Sequence, residues 1–189
     1  MSYGHTLVEL LVAIPTVAIL ILIFIQFHLV TADGLSTINA QTLLQAQLTQ
    51  GMHRILQDAR MANGLGNPCP GIGGTTFAPT TDSTCFQLAS VDTQGQALSP
   101  VTWDLVSYQF NQTAGTLSRI VKKAGASARI NSEQTLVNDL QAPGGAVFQA
   151  QGGAVPSAVT CTLSGRRVER GRPYFLTLVV QARFRNFKP

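Results

Sequence analysis

An apolar run that begins at residue 10 constrains the fold of this chain more than any other feature. The run extends from Leu10 to Val30, and its only polar residues are Thr16, Gln26 and His28. About 20 apolar residues are enough for a helix to cross the hydrocarbon core of a bilayer. The run therefore predicts a helix that spans a membrane or lies in another apolar environment.

One acidic residue, Glu9, stands at the start of this run. An ionised side chain near the middle of a bilayer costs roughly 2.5–3.5 kcal/mol, even on a lenient insertion scale. A buried carboxylate and a buried ammonium group are each costly alone and much less so as a pair. We therefore expect Glu9 to have a positively charged partner or a functional reason for its position.

The string Gly4-His5-Thr6-Leu7-Val8-Glu9-Leu10 resembles the N-terminus of type IV pilin-like proteins, which include pilins, minor pilins and pseudopilins. The resemblance implies that residues 1–4 are a leader peptide of the class III prepilin type, removed by a prepilin peptidase after Gly4. It also implies that His5 becomes the N-methylated first residue and that 5–30 forms the transmembrane and filament-core helix. Glu9 would then pair with the terminal amine of a neighbouring subunit during assembly.

Two other interpretations of the same segment remain open. One is a plain signal anchor, in which Glu9 reaches water near the cytoplasmic end of the helix. The other is a cleaved secretory signal, because Val30-Thr31-Ala32 has the small-residue pattern that precedes a signal-peptidase site. The run is longer than the roughly 7–15 apolar residues of such signals, and no basic segment precedes it. Neither interpretation explains a glutamate at this spacing from a glycine.

A second helical pattern occupies residues 31–62. Apolar residues recur there at steps of three and four, which places them on one face: Leu44, Leu48, Met52, Ile55, Ala59 and Ala62. Asn63-Gly64 is a helix stop signal. The chain from 6 to 62 could form one helix of about 85 Å, interrupted at Pro15 and at Asp33-Gly34. We expect its second half to pack on a globular domain.

Residues 63–189 have strand patterns and form the expected extracytoplasmic β-rich domain. The predicted strands are 85–89, 106–110, 116–121, 136–140, 146–148, 159–163 and 175–185. In the last strand, Leu176, Leu178, Val180, Ala182 and Phe184 are expected to face the core. One long helix followed by these strands predicts an α+β fold, with the helix packed on an antiparallel β-sheet.

The domain also resembles the larger minor pilins and pseudopilins in particular. The shared features are a Tyr-x-Phe hairpin strand followed by Leu-x-Arg, here Tyr108-Gln109-Phe110 and Leu117-Ser118-Arg119, and a final Arg185-Asn186. The resemblance implies a minor subunit. Minor subunits of this kind occur in pilus biogenesis, in type II secretion and in DNA uptake.

Three cysteines lie downstream of the apolar run. Cys69 and Cys85 bracket a loop rich in Gly, Pro and Thr, where a disulfide would stabilise the fold by about 3 kcal/mol. Such a bond favours an oxidising, extracytoplasmic location. The alternative is three free thiols. Cys161 is expected to lie buried in a strand.

Catalysis finds little support in the sequence, and we expect neither an enzyme nor a metal or cofactor site. The histidines His5, His28 and His53 all lie on the N-terminal helix. The β-domain therefore has no imidazole to act as a general base or metal ligand. Its acidic residues show no paired spacing, and Gly71-Ile72-Gly73-Gly74 lacks the Gly-Lys-Ser ending of a phosphate loop.

One basic segment suggests an anionic ligand. It contains Arg166, Arg167, Arg170 and Arg172, and we expect it to be a loop. Arg119, Lys122, Lys123 and Arg129 could add to it. Such clusters contact phosphates, which makes DNA a candidate partner. The alternative is a solvated hairpin loop, and no aromatic residues alternate with the arginines to form a stacking platform.

The resemblance, taken with the absence of catalytic residue patterns, implies a non-enzymatic minor subunit of a type IV pilus-like filament. Such a subunit would insert into the inner membrane with its N-terminus in the cytoplasm, then enter a pilus or pseudopilus through its helix. Its partners would be other pilin or pseudopilin subunits and the prepilin peptidase. The alternative is a secreted or membrane-anchored domain that binds DNA or a surface polymer and does not polymerise.

Overall fold

One long helix, α1, spans Leu7–Met61 and dominates the computed structural model, which describes residues 7–151 and 156–184; a short 3-10 turn lies at Ile72–Gly74. Its 55 residues extend over about 83 Å. Gly4, His5 and Arg185-Asn186, to which the sequence assigned roles, lie outside the described residues.

The expected interruption of the helix at Asp33-Gly34 is wrong, because α1 continues through both residues. The hydroxyl groups of Ser36 and Thr37 donate hydrogen bonds to the Asp33 carbonyl at 2.9 and 3.0 Å. A glycine inside a helix costs only about 1 kcal/mol relative to alanine. Packing of the following turns on the domain offsets that cost. Pro15 also lies within the continuous helix.

The described strands form antiparallel sheets beside this helix, so the fold class is α+β, as the sequence predicted. The first sheet has the order β1-β4-β5-β6-β7, the second β10-β9-β8, and a small third sheet pairs β2 with β3. The strands are β1 Ala62–Leu65, β2 Cys69–Pro70, β3 Thr76–Phe77, β4 Ser83–Ala89, β5 Trp103–Asn111, β6 Thr116–Lys122, β7 Ser132–Val137, β8 Ala146–Gln151, β9 Ala158–Glu169 and β10 Arg172–Arg183.

Two predicted elements have different limits in the structure. The strand predicted at 136–140 overlaps β7 only at Leu136 and Val137, where β7 ends. Asp139 has a positive φ of 60°, and Leu140 bridges Gly165 of the second sheet. The segment 166–172 is not a loop, because β9 and β10 pair up to the register Glu169–Arg172. Only Arg170 and Gly171 form the turn. Their positive φ values of 48° and 76° are those of a type I′ hairpin turn.

The core lies between the second half of α1 and the two larger sheets. The predicted apolar face of the helix is buried there, with Leu48 and Ala59 fully inaccessible. Strand β10 alternates as predicted, since Phe175 and Val179 are exposed while the even-numbered residues pack inward. Gly165 of β9 allows a close approach to α1: a Cβ atom there would lie 2.6 Å from Leu44 Cδ1.

Candidate functional site

The first half of α1 exposes a continuous apolar surface. Every large apolar side chain between Leu10 and Val30 is between 49% and 70% exposed. This half of the helix therefore does not pack on the core of the domain. By length and composition the helix could cross a membrane. The 21 residues from Leu10 to Val30 span about 32 Å, close to the roughly 30 Å of a bilayer core. A helix that is apolar all round needs an apolar environment, either lipid or other helices.

Glu9 lies in the first turn of α1 with its side chain exposed. A carboxylate in the first turn of a helix interacts favourably with the backbone N–H groups at that end. Glu9 lies at the N-terminal end of the apolar surface, about 36 Å along the helix from Asp33. Gly4 and His5, the residues of the expected cleavage site, precede the described residues.

At the other end of the apolar surface, the β9–β10 hairpin contacts the helix. The Arg170 guanidinium donates a hydrogen bond to the Asp33 carboxylate in an ion pair. The hydroxyl groups of Thr37 and Tyr174 are hydrogen-bonded at 2.9 Å. These contacts hold the hairpin turn against α1 three residues after the apolar run ends.

The structure brings the four predicted arginines together on this hairpin. Arg167 forms an ion pair with Asp139, with 3.2 Å between Nη1 and Oδ2. The Arg166 guanidinium lies 5.9 Å from the centre of the Phe175 ring. Arg172 is exposed and lines a small hollow between the turn and the helix. Two of the four cations, Arg167 and Arg170, thus already have carboxylate partners.

Arg119 and Arg129 do not extend this cluster, which corrects the sequence-based expectation. Arg129 donates to the buried Asp104 carboxylate at 2.6 Å, and Arg119 pairs with Asp58. Each guanidinium is held against a buried carboxylate that would be costly to bury without a counter-charge. Lys122 and Lys123 are exposed at the end of β6, in the other sheet.

A buried polar triad joins α1 to the β5–β6 hairpin. The Asp58 carboxylate accepts hydrogen bonds from Tyr108 Oη at 2.5 Å and from Arg119 Nε at 2.7 Å. Burial raises the pKa of Tyr108 well above its usual value, and the negative charge of Asp58 adds to the rise. Burial alone would lower the pKa of Arg119, but its hydrogen bond to Asp58 and the charge of that carboxylate raise it overall.

The sequence patterns did not predict this triad, although one signal was present. Asp58 stands three residues after Ile55 on the apolar face of the helix, where a carboxylate is out of place. Tyr108 and Arg119 are directly opposite in the β5–β6 register. All three side chains are almost completely buried, so the triad positions the helix on the sheet and presents no surface to a substrate.

A second buried carboxylate, Asp104, holds the segment that follows β6. It accepts hydrogen bonds from Ser127 Oγ at 2.6 Å, from the Ala124 N–H at 2.8 Å and from Ser90 Oγ at 2.9 Å, in addition to Arg129. Burial acts to raise the pKa of Asp104, but these hydrogen bonds together lower it below its usual value. The role is again structural.

The cysteines occupy two kinds of environment. Cys69 and Cys85 form a disulfide between buried residues whose Cα atoms are 5.7 Å apart, the pair that their spacing indicated. Cys161 is a free thiol buried in β9, and burial raises its pKa to about 12. It is therefore protonated and inaccessible at neutral pH.

A groove of about 790 Å³ lies between α1 and the edge strand β7. His53, Arg54 and Arg60 line it, together with glutamine and apolar side chains, and its lining contains no carboxylate. Within the described ranges, no group of three or more His, Cys, Asp or Glu side chains could hold a metal ion. The groove thus offers His53 no acidic partner.

Neither a family model nor a curated protein matches this chain. The features that bear on function are therefore the N-terminal residue pattern and the geometry of the exposed half-helix and its junction with the domain.

Proposed function

We propose that this protein is a minor subunit of a type IV pilus-like filament, of the kind used in pilus biogenesis, type II secretion or DNA uptake. The observation that carries the proposal is the exposed apolar half of α1, from Leu10 to Val30, which extends beyond a domain built on the other half. Such a surface is stable in a bilayer and against the helices of other subunits. A filament subunit needs both environments in succession.

Before assembly, the protein would reside in the inner membrane as a single-pass subunit. The prepilin peptidase would cut between Gly4 and His5 and methylate the new terminal amine of His5. The N-terminus would face the cytoplasm and the β-domain the extracytoplasmic side. The Cys69–Cys85 disulfide supports this orientation, because such bonds persist in oxidising compartments.

During assembly, Glu9 would pair with the terminal amine of a neighbouring subunit. In a core of packed apolar helices, an isolated carboxylate or ammonium group carries a desolvation cost of several kcal/mol. Pairing removes most of that cost for both groups. The interaction would therefore fix the axial position of one helix against the next.

The proposal is tested by shearing filaments from cells that express the wild-type chain or Glu9→Ala. We expect both proteins in the membrane fraction and a strong reduction of the variant in the sheared fraction, because its neighbour's amine would lack a partner. Gln26→Ala, which removes a neutral polar group from the same helix, is the matched control and should assemble normally. Normal incorporation of Glu9→Ala would contradict the role of Glu9.

Intact-mass analysis of the protein from its native membrane tests processing separately. A chain that begins at N-methylated His5 supports the filament subunit. A chain that begins at Asp33 would be a secreted domain, and an uncut chain would be a plain anchor. A membrane-bound protein that never enters sheared filaments would instead be an anchored, non-polymerising binding domain.

A further inference from the structure

The groove between the end of α1 and strand β7 gathers positive charge. His53, Arg54 and Arg60 line it, and its lining contains no carboxylate. Within the described ranges, neither of these arginines forms an ion pair, and Arg54 donates a hydrogen bond at 3.1 Å to the neutral Oε1 of Gln57. The low-dielectric walls of a cleft focus the field of charges that line it. The groove therefore attracts an anionic ligand.

The acidic residues on the two walls of the groove, Asp58 of α1 and Glu133 of β7, do not neutralise this charge. Asp58 is buried and paired with Arg119. Glu133 follows the opposite face of β7 from its neighbour Gln134, because successive side chains of a strand alternate. There the Glu133 carboxylate accepts a hydrogen bond from the Gly73 N–H at 3.3 Å. The cations of the groove are thus available to a partner.

Strand β7 forms the other wall, and it is the last strand of its sheet. Among the described residues, its backbone pairs with β6 alone. Residues 132–135 are exposed in succession and include neither proline nor lysine, which commonly protect a sheet edge. Leu136 has no partner in β6, and this bulge ends the regular edge. In an antiparallel ladder alternate residues turn their N–H and C=O groups away from the partner, so two of these four residues are open to a further strand.

The free edge and the row of cations have similar lengths. Residues 132–135 extend over about 13 Å. From His53 to Arg60 the helix rises about 10 Å. Gln134 lines the groove, so alternate side chains of a strand added beside β7 would also project into it. A segment of four or five extended residues can therefore pair with β7 and contact the cations together.

We propose that this groove binds an extended acidic segment of a partner protein, which joins the sheet as a strand beside β7. Carboxylates at alternate positions of the segment contact Arg54 and Arg60, while its backbone pairs with the free edge. The backbone contacts supply affinity, and the charges select an acidic sequence. The inference goes beyond the proposed filament role, since neither Glu9 nor polymerisation enters it.

Position and shape favour a peptide over other polyanions. Arg54 stands 24 residues after Val30, about 36 Å along α1, so the groove is far from a bilayer that contains the apolar run. A nucleic acid would neutralise the arginines. It has no row of alternating N–H and C=O groups, however, and would leave the edge of β7 unpaired. Binding of DNA is therefore a competing outcome of the test.

The test uses the full chain in phosphatidylcholine nanodiscs and a fluorescein-labelled peptide, Thr-Glu-Val-Asp-Val-Glu-Thr, with blocked ends. The three acidic side chains occupy alternate positions, so they project on one side of a strand. Two further versions carry backbone N-methyl groups, one on the acidic residues and the other on the two valines and the last threonine. Both versions keep the charge, but only one set of N–H groups can face β7. Binding is measured by fluorescence anisotropy.

We expect saturable binding of the unmodified peptide. Arg54→Gln with Arg60→Gln should weaken it about tenfold, or about threefold per arginine. Arg166→Gln with Arg183→Gln, which removes the same charge from exposed positions of the second sheet, is the matched control and should leave the affinity unchanged.

The N-methylated peptides test the strand pairing itself. One version should bind like the parent, and the other should bind about tenfold more weakly, because its N–H groups can no longer donate to β7. Hydrogen exchange should slow in the segment that contains β7. Strand β10, an edge of the second sheet, should show no change and is the internal control.

Three results would overturn the inference. The first is the absence of saturable binding to the wild-type chain. The second is equal binding of the two N-methylated peptides, which would show attraction by charge alone. The third is displacement of the peptide by duplex DNA at equal charge concentration, with DNA binding also lost in the Arg54 and Arg60 variant. None of these results depends on the assembly of Glu9→Ala, so this inference and the proposed function can fail separately.

Discussion

Arg119 on strand β6 donates two hydrogen bonds to the Asp58 carboxylate on helix α1, from Nε at 2.7 Å and from Nη2 at 3.2 Å. The two residues are 61 positions apart and both are buried. Tyr108 donates a third hydrogen bond to the same carboxylate. The pair therefore fixes the rotation of the helix on the sheet, at a site where neither charge has access to bulk water.

Asp58→Asn should destabilise the protein by about 3–5 kcal/mol, because it leaves the Arg119 charge buried without a counter-charge. The measurement is chemical unfolding of the full chain in detergent, monitored by circular dichroism in the near ultraviolet. Glu133→Gln neutralises an exposed carboxylate and should change the free energy of unfolding by less than about 0.5 kcal/mol. Equal effects of the two variants would contradict the role of the buried pair.

Asp104 should make stability depend on pH in the acid range. Its pKa is lowered in the folded state, so its contribution is present above the unfolded pKa of about 3.9 and is lost as pH falls through the folded pKa. Asp104→Asn should be less stable than wild type at neutral pH, and the difference should shrink as the pH falls below about 4. Melting temperatures measured across this range test the sign; a constant difference would show that titration of Asp104 does not contribute.

Cys161 should not react with thiol reagents in the folded protein. Its side chain is buried, and burial raises its pKa to about 12, so thiolate is scarce at neutral pH. Maleimide labelling followed by mass spectrometry should find no adduct on the folded chain and one adduct after unfolding without reductant. More than one adduct after unfolding without reductant would contradict the Cys69–Cys85 disulfide, and an adduct on the folded chain would contradict the burial of Cys161.

Gly165→Ala should separate the β9–β10 hairpin from the helix. The new Cβ atom would lie 2.6 Å from Leu44 Cδ1 and 3.2 Å from Leu48 Cδ1, and such overpacking costs about 1–3 kcal/mol. Gly34→Ala is a matched control, because no atom lies within 4 Å of its Cβ position and alanine favours the helix by about 1 kcal/mol. We expect a lower melting temperature for the first variant and an equal or higher one for the second.

Local patterns determined much of the architecture in advance. The steps of three and four between Leu44 and Ala62 identified the buried face of α1, because helical periodicity depends only on neighbouring residues. The alternation in 175–184 identified the core face of β10 for the same reason. The tight turn at Arg170-Gly171 was missed, because the basic composition of 166–172 indicated a longer loop between the last two strands.

What a side chain contacts across the fold was decided only by the tertiary structure. Arg170, which the sequence places 140 residues after Val30, lies beside the end of the apolar run, because it pairs with Asp33 of α1. Arg119 was grouped by composition with those surface cations, yet strand register turns it inward to Asp58. Periodicity sets which face of an element is buried. Sheet order and strand register determine which distant charged side chain contacts the buried face of an element. The pattern of neighbouring residues in the sequence does not contain that information.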